Sequence, residues 1–130
     1  MDIVIDTSAL IAVILNEPEK KKIIQVTAGN TLVGPESIRW EMGNAFSAMF
    51  KQNRIGLRIA QEALRIFEVI PIRYLDVDFN KSLDLAHNNK IYAYDAYFLD
   101  CAIRHKFPLI TLDRKMKATA INTGIKVLEI

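Results

Sequence analysis

Four acidic residues stand where a core-facing residue or the end of a buried strand is expected: Asp6, Glu41, Asp95 and Asp113. Asp6 follows the apolar run Ile-Val-Ile, and Asp113 follows Leu-Ile-Thr-Leu. Burying an acidic side chain without a partner is costly. Two carboxylates about 4 Å apart repel each other by roughly 4 kcal/mol at an effective dielectric constant of about 20. If the four carboxylates converge, a divalent cation is the partner that would stabilise them all.

The chemistry of such a site follows from its ligands. Carboxylate oxygens are the ligands that Mg²⁺ and Mn²⁺ prefer, and a bound Mg²⁺ keeps several waters that substrate oxygens can replace. A metal ion with open positions supports hydrolysis or phosphoryl chemistry. The four acids therefore predict a metal-dependent enzyme, and a phosphodiesterase in particular, provided that the fold brings them together.

Taken singly, three of the acids also have a structural explanation as helix N-caps. Asp6, Asp95 and Asp113 each stand at the start of a segment that is expected to be helical, and Asp is a favoured N-cap residue. If Asp95 is such a cap, Tyr92 and Tyr94 are expected to pack in the core. Only convergence of the acids distinguishes a metal site from a set of caps.

Glu41 interrupts the apolar stripe of a predicted helix, because it lies three residues after Ile38 and four before Ala45. At that position a glutamate extends to solvent, forms a salt bridge or lines a polar pocket. Asn44 lies about one turn further on and would share the pocket, where its amide could donate to a neighbouring carboxylate.

Composition is typical of one folded domain over residues 1–130. The chain is 51% hydrophobic and 25% charged, enough apolar material for a core, and its net charge of +2 alone says little about nucleic acid. A single cysteine, Cys101, excludes an internal disulfide and disfavours a cysteine-based zinc site. No apolar run approaches the roughly 20 residues of a membrane span, and the first residues enter a strand directly. We therefore expect a cytoplasmic protein without membrane contact.

Strands and helices alternate along the chain, which predicts an α/β fold with a mainly parallel sheet. Strands are expected at residues 2–5, 31–33, 71–75, 107–112 and 126–130. Helices are expected at residues 8–15, 19–27, 34–51, 57–69, 78–87, 95–105 and 114–122, with Pro35 in the first turn of the third. If the strands before Asp6 and Asp113 are parallel neighbours, both carboxylates reach one crevice at the carboxyl ends of the strands.

Four stretches, in this order and spacing, resemble the PIN domain, and specifically the VapC-type toxin ribonucleases of bacterial and archaeal toxin–antitoxin pairs. They are IVIDTSAL (residues 3–10), WEMGNAF (40–46), YDAYFLDCA (94–102) and LITLD (109–113). The resemblance covers essentially the whole chain. It implies a three-layer α/β/α fold around a central, mainly parallel sheet of four to five strands.

The same resemblance implies a function for individual residues. It makes Asp6, Glu41, Asp95 and Asp113 the catalytic residues and the ligands of Mg²⁺ or Mn²⁺ in an endoribonuclease that leaves a 5′-phosphate. Supporting residues would be Thr7, Ser8, Asn44 and Thr111. Candidate phosphate contacts are Arg114, Lys115, Lys117 and Arg54, with Lys51 and Arg58, although basic residues such as these are often only a solvated helix face.

One residue departs from the family pattern. Asp100 stands where a small apolar residue is more usual, five residues and about 140° around the helix from Asp95. We expect it to pair with Arg104 four residues later rather than to join the site.

The resemblance also implies partners: an RNA substrate, a VapB-like antitoxin and a second copy of the chain in a homodimer. The helical hairpin of residues 36–51 and 57–69 is the candidate antitoxin contact, because its apolar residues exceed what one buried face needs, although a second core face would explain them equally well.

Three other functions compete with this one. One is a housekeeping PIN nuclease in RNA processing. Another is a phosphoacceptor or phosphatase domain, for which residues 76–80 fit the expected motif poorly. The third is a non-catalytic binding module that keeps the fold without the metal, and the complete set of four acids argues against it.

Overall fold

The computed structural model describes residues 1–130 and has four strands and seven helices. The strands are β1 (Asp2–Ile5), β2 (Thr31–Pro35), β3 (Ile72–Leu75) and β4 (Leu109–Ile110). The helices are α1 (Thr7–Ile14), α2 (Lys20–Thr27), α3 (Ile38–Lys51), α4 (Leu57–Val69), α5 (Phe79–Asn89), α6 (Ala93–His105) and α7 (Arg114–Asn122). No helix is long and apolar enough to cross a membrane.

The sheet is parallel throughout, with the strand order β3-β2-β1-β4. In β1, Val4 pairs with Val33 of β2 on one side and with Leu109 of β4 on the other. Residues 3–5 are almost fully buried, as expected for a central strand covered on both faces. The predicted pairing of the strands that precede Asp6 and Asp113 is confirmed.

Two groups of helices cover the sheet. Helices α1 to α4 contact one another, with α3 and α4 forming the predicted helical hairpin, whereas α5 packs on α6 and α6 packs on β1 and β2. A cluster of 25 buried residues, drawn from the strands and from six of the helices, forms the hydrophobic core. The fold is the three-layer α/β/α arrangement predicted from the sequence.

Two local predictions were wrong. Pro35 does not begin a helix: it is the last residue of β2 and pairs with Leu75, while α3 begins at Ile38. The fixed φ of proline suits the end of a strand as well as the start of a helix. The segment 126–130 forms no fifth strand, since only Val127 makes a parallel bridge, to Leu109.

The carboxyl edge of the sheet is where four helices begin. Helix α1 starts two residues after β1, α3 starts three residues after β2, and α5 and α7 start four residues after β3 and β4. At Gly34, near the end of β2, a Cβ atom would lie 2.5 Å from Ile38 Cδ1, so the side chains of α3 approach the strand closely. The backbone therefore aims four helix N-termini at one edge of the sheet.

Candidate active site

Asp6 is the most deeply buried acid of the candidate site, with 3% of its surface exposed. It follows β1 and caps α1: its Oδ1 atom accepts from the Ala9 N–H at 3.0 Å and from the Ser8 hydroxyl at 2.7 Å. Its Oδ2 atom accepts from the Thr111 hydroxyl. Burial raises the pKa of Asp6 against these three hydrogen bonds, and the nearby Asp113 adds to the rise. Asp6 therefore caps α1 as predicted, but none of the groups that donate to its carboxylate is positively charged.

Two hydroxyl groups connect β1 to the segment after β4. The Ser8 hydroxyl, which donates to Asp6, accepts from the Leu112 N–H at 3.0 Å. The Thr111 hydroxyl likewise accepts from the Asp113 N–H at 3.0 Å. These bonds span more than a hundred residues of sequence and hold the first and last acids in a fixed relation.

Glu41 lies in the first turn of α3 and is partly buried. Burial, together with the negative charges of Asp95 and Asp6, raises its pKa to about 7, against a hydrogen bond from the Ser37 hydroxyl at 3.1 Å. The glutamate therefore neither extends freely into solvent nor forms a salt bridge, and it lines a polar pocket.

Asp95 and Asp113 complete the set from two other helices. Asp95 lies in the first turn of α6, whose N-cap is Tyr92, so the N-cap explanation for Asp95 is wrong. Burial, with the charge of Asp113, raises the pKa of Asp95, and Lys115 opposes the rise. Asp113 is exposed and caps α7 by accepting from the Met116 N–H at 2.9 Å.

The four carboxylates affect one another electrostatically across this edge of the sheet. Asp113 acts on Asp6 and on Asp95, while Asp6 and Asp95 both act on Glu41. None of the four forms a salt bridge. The fold thus gathers negative charge at the carboxyl ends of the strands and leaves most of it without a balancing cation.

A divalent metal ion fits the donor set of this edge. No three Asp, Glu, His or Cys side chains lie close enough to hold one ion together, but Mg²⁺ commonly binds through one or two carboxylates and keeps its waters. A cavity of about 520 Å³ lies here, lined by Thr7, Trp40, Glu41, Asn44, Ala45 and Tyr94. The Thr7 hydroxyl is buried there beside Glu41: it lowers the pKa of that carboxyl, but it makes no hydrogen bond of ordinary length. A buried hydroxyl that is not fully hydrogen-bonded beside acidic groups is one that a hydrated cation would satisfy.

The basic residues that are candidate phosphate contacts differ in whether and with which group they now pair. Lys115 donates to the Lys90 carbonyl at 3.1 Å, and Lys117 pairs with Glu129 at 3.2 Å. Arg58, at the hairpin, forms an exposed pair with Glu62. Three further basic residues are exposed and form no ion pair: Lys51, Arg54 and Arg114.

Asp100 lies outside this set, as expected. Its Oδ2 atom accepts from Arg104 at 3.1 Å, the predicted pair, and from the Asp78 N–H at 2.9 Å. Arg104 also donates to the Asp76 carbonyl. The departure from the family pattern is therefore a charge pair that fixes α6 to the segment before α5.

No role in the site was predicted for the aromatic residues around the acids; from the sequence, Trp40 beside Glu41 was expected in the core or at an interface. Tyr92 and Tyr94 are 84% and 54% exposed, so the expectation that they pack in the core is wrong, and Trp40 is 65% exposed. Trp40 immediately precedes Glu41, and Tyr94 immediately precedes Asp95. The sequence signal that could have identified them is an aromatic residue directly before an acid in the first turn of a helix, which occurs in both α3 and α6.

Comparison with known proteins places the chain in a family. A family model described as the PIN domain matches residues 3–122. The chain belongs to the PIN domain family. No curated protein sequence matches it.

Solved structures share the fold of this PIN domain at low sequence identity. A crystal structure of a protein from Pyrobaculum aerophilum is 22% identical, with a TM-score of 0.70, covering 92% of this chain and 79% of that one. VapC20 of Mycobacterium tuberculosis, described as a toxin that cleaves the sarcin–ricin loop, is 14% identical, with a TM-score of 0.66, covering 98% and 99%. VapBC2 of Rickettsia felis, bound to a DNA fragment from its promoter, is 18% identical, with a TM-score of 0.64, covering 99% and 98%.

Proposed function

We propose that this PIN domain is an Mg²⁺- or Mn²⁺-dependent endoribonuclease that acts as the toxin of a type II toxin–antitoxin pair. The observation that carries the proposal is Asp6, a buried carboxylate held only by neutral donors, with a raised pKa, next to three other acids. Buried charges in proteins are normally paired or bind a metal ion. Strongly perturbed acids in a crevice are also typical of functional sites.

In this proposal the residues divide into ligands and a base. Asp6, Asp95 and Asp113 would hold one or two metal ions between them, each ion bound through one or two carboxylates and its own waters. A bound ion would supply Lewis-acid activation of a water and of a phosphate oxygen. Glu41 would ligate the metal or accept the proton of the attacking water, since a carboxylate whose pKa is about 7 can exchange a proton near neutral pH. Ser8 and Thr111 orient Asp6, and Asn44 lines the cavity beside Glu41.

The toxin part of the proposal is supported by the structural relatives. Two of them are VapC or VapBC proteins, and a third is a toxin–antitoxin complex from Klebsiella pneumoniae, 21% identical with a TM-score of 0.56. Helix α4 offers a surface for an antitoxin or a second copy of the chain, because it exposes five large apolar side chains: Leu57, Ile59, Leu64, Ile66 and Val69. We therefore propose an antitoxin partner at the α3–α4 hairpin, a homodimer and a cytoplasmic site of action.

RNA cleavage tests the enzymatic part. Purified protein is incubated with a total RNA preparation in Mg²⁺, in Mn²⁺ and in chelator, and the ends produced are sequenced. We expect cleavage only with metal and 5′-phosphate ends. Asp6→Asn and Asp113→Asn should each lower the rate by roughly 100-fold or more, as for loss of a group that stabilises charge at the reacting centre.

A matched variant keeps this test specific. Asp84→Asn removes an exposed carboxylate in the middle of α5 and should leave cleavage unchanged. Equal cleavage by Asp6→Asn and the unaltered protein would contradict the proposal. For the toxin part, induced expression should arrest growth, and coexpression of the protein encoded next to the gene should relieve it.

A further inference from the structure

A second cavity lies beside the one that Glu41 lines, which is called the acidic cavity below, and four of its ten lining residues are aromatic. This aromatic groove has a volume of about 630 Å³, within the range of about 300–1,000 Å³ that small-molecule sites occupy. Its lining includes Trp40, Phe79, Tyr94 and Tyr97, with the carboxylate residues Glu36 and Asp76. Three separate parts of the chain supply these residues, at the start of α3, before α5 and in α6.

Three of the rings in the groove, Phe79, Tyr94 and Tyr97, contact one another, and Trp40 and Phe79 are the most exposed of the four. Phe79 is 66% and Trp40 65% exposed, which is unusual for side chains of this size outside an interaction site. Tyr97 makes edge-to-face contacts with Phe79 at 5.7 Å and with Tyr94 at 5.9 Å between ring centroids. Such contacts favour fixed ring orientations, so the aromatic faces are arranged before any ligand arrives.

The groove is continuous with the acidic cavity. Trp40 and Tyr94 line both spaces, and each is followed by an acid of the candidate site, Glu41 and Asp95. A polymer held at the acids would therefore place its neighbouring unit against these two rings. This arrangement suits a substrate with a charged linkage next to a flat, uncharged group.

The charge of the groove decides which part of the polymer enters it. Glu36 and Asp76 line it, and no Lys or Arg does. A phosphate or a carboxylate would be repelled there, whereas carboxylates accept hydrogen bonds from the N–H groups of nucleobases. Flat aromatic side chains bind unstacked bases of single-stranded RNA by stacking.

We propose that the aromatic groove binds one unstacked nucleobase of single-stranded RNA, next to the phosphodiester at the acidic cavity. The inference rests on the proposed ribonuclease function and adds to it a subsite of this chain that binds a base beside the acids. Trp40, Phe79 and Tyr94 stack on the base, and Tyr97 positions two of these rings.

Trp40 is the only tryptophan of the chain and reports on the groove directly. The full-length Asp6→Asn variant, used so that RNA stays intact, is titrated in Mg²⁺ with a short single-stranded RNA while the Trp40 emission is recorded. A ribose-phosphate strand of the same length without bases is the paired probe. We expect the RNA to quench Trp40 and the abasic strand to leave its emission unchanged.

A variant of the groove measures the stacking contribution. Phe79→Leu, at an exposed position, should weaken binding of the RNA roughly tenfold, within the range of base–aromatic stacking energies, and leave binding of the abasic strand unchanged. In the protein with Asp6 intact, the same substitution should raise KM more than it lowers kcat. Ile24→Ala is the control, because Ile24 is an exposed apolar residue of α2 that lines neither cavity and lies outside the α3–α4 hairpin.

Each other outcome overturns the inference. Equal quenching by both strands would mean that Trp40 responds to the backbone, and an unchanged KM in Phe79→Leu would remove the stacking role. A change in Trp40 emission with protein concentration alone would assign the groove to a second copy of the chain. In all three cases loss of cleavage in Asp6→Asn would still support the ribonuclease proposal, so the two failures are distinguishable.

Discussion

Two buried aspartates in this molecule have nearly the same exposure, 3% for Asp6 and 2% for Asp100, yet their surroundings differ. Asp100 is paired with Arg104 and accepts a backbone N–H from the segment before α5. Asp6 accepts three hydrogen bonds from neutral donors and faces the charges of other acids. Asp100 is a structural residue whose charge is balanced within the chain, whereas the charge of Asp6 is not.

The comparison shows that burial alone does not identify a functional carboxylate. What distinguishes Asp6 is that its negative charge lacks a cation of the protein. An uncompensated buried charge costs stability, and in the proposed function a metal ion from outside the chain balances it. The same substitution, Asp to Asn, should therefore change the stability of the protein differently at the two positions.

The largest difference is expected when each aspartate is replaced by asparagine in metal-free protein. Asp100→Asn should lower the free energy of unfolding by about 1–3 kcal/mol, because Arg104 loses its partner and an amide meets the Asp78 N–H. Asp6→Asn should leave the stability equal or higher, because it removes a desolvated charge. Chemical denaturation in the presence of chelator measures both.

The opposite order of stabilities in the two variants would contradict the roles assigned to the two aspartates. A strongly destabilised Asp6→Asn next to a neutral Asp100→Asn would make Asp6 the structural residue. The rate of RNA cleavage per folded molecule is measured alongside, and Asp100→Asn should cleave RNA at the rate of the unaltered protein.

The next effect concerns pH. The folded protein raises the pKa of Glu41 from its ordinary value of 4.5 to about 7, so the folded state holds this proton more tightly than the unfolded state. The resulting stabilisation is fully present below about pH 4.5 and is lost as pH rises through about 7. Metal-free protein should therefore melt at a lower temperature as pH rises across this window.

Glu41→Gln should flatten this profile, since glutamine does not titrate. Thermal melts of both proteins across the window, in chelator, check it. Equal slopes in the two proteins would show that Glu41 does not carry the pH dependence.

The smallest effect is expected at Thr111. Thr111→Val removes the hydroxyl that donates to Asp6 and accepts from the Asp113 N–H, and should lower the unfolding free energy by about 1 kcal/mol. The pKa of Asp6 should rise further, because that hydrogen bond lowers it. Carboxyl titration by NMR measures this shift, and Thr119→Val, which removes a helix-internal bond of α7, is the control.

Much of the site was predictable from the sequence because strand ends and helix starts have local signals. Asp6 and Asp113 each follow a buried apolar run, and parallel pairing of β1 and β4 brings them to one edge. Asp100 and Arg104 were predictable as a pair from their spacing alone. In each case the signal lies within a few residues of the group concerned.

What could not be predicted depends on register or on distant segments. The bond from Thr111 to Asp6 requires the register of β1 against β4. The aromatic groove requires Trp40, Phe79 and Tyr94 from three parts of the chain to meet. Pro35 was misplaced because proline suits both a strand end and a helix start.

Metal-dependent stabilisation tests the central claim, that the acidic edge requires a divalent cation, most directly. Thermal melts of the unaltered protein, Asp6→Asn and Asp100→Asn are recorded with increasing Mg²⁺ or Mn²⁺. A ligand at a hundred times its Kd stabilises the folded state by about 2.7 kcal/mol. The account predicts that Tm rises by the amount that corresponds to this stabilisation in the unaltered protein and in Asp100→Asn, and rises little or not at all in Asp6→Asn. Equal behaviour of all three proteins would contradict it.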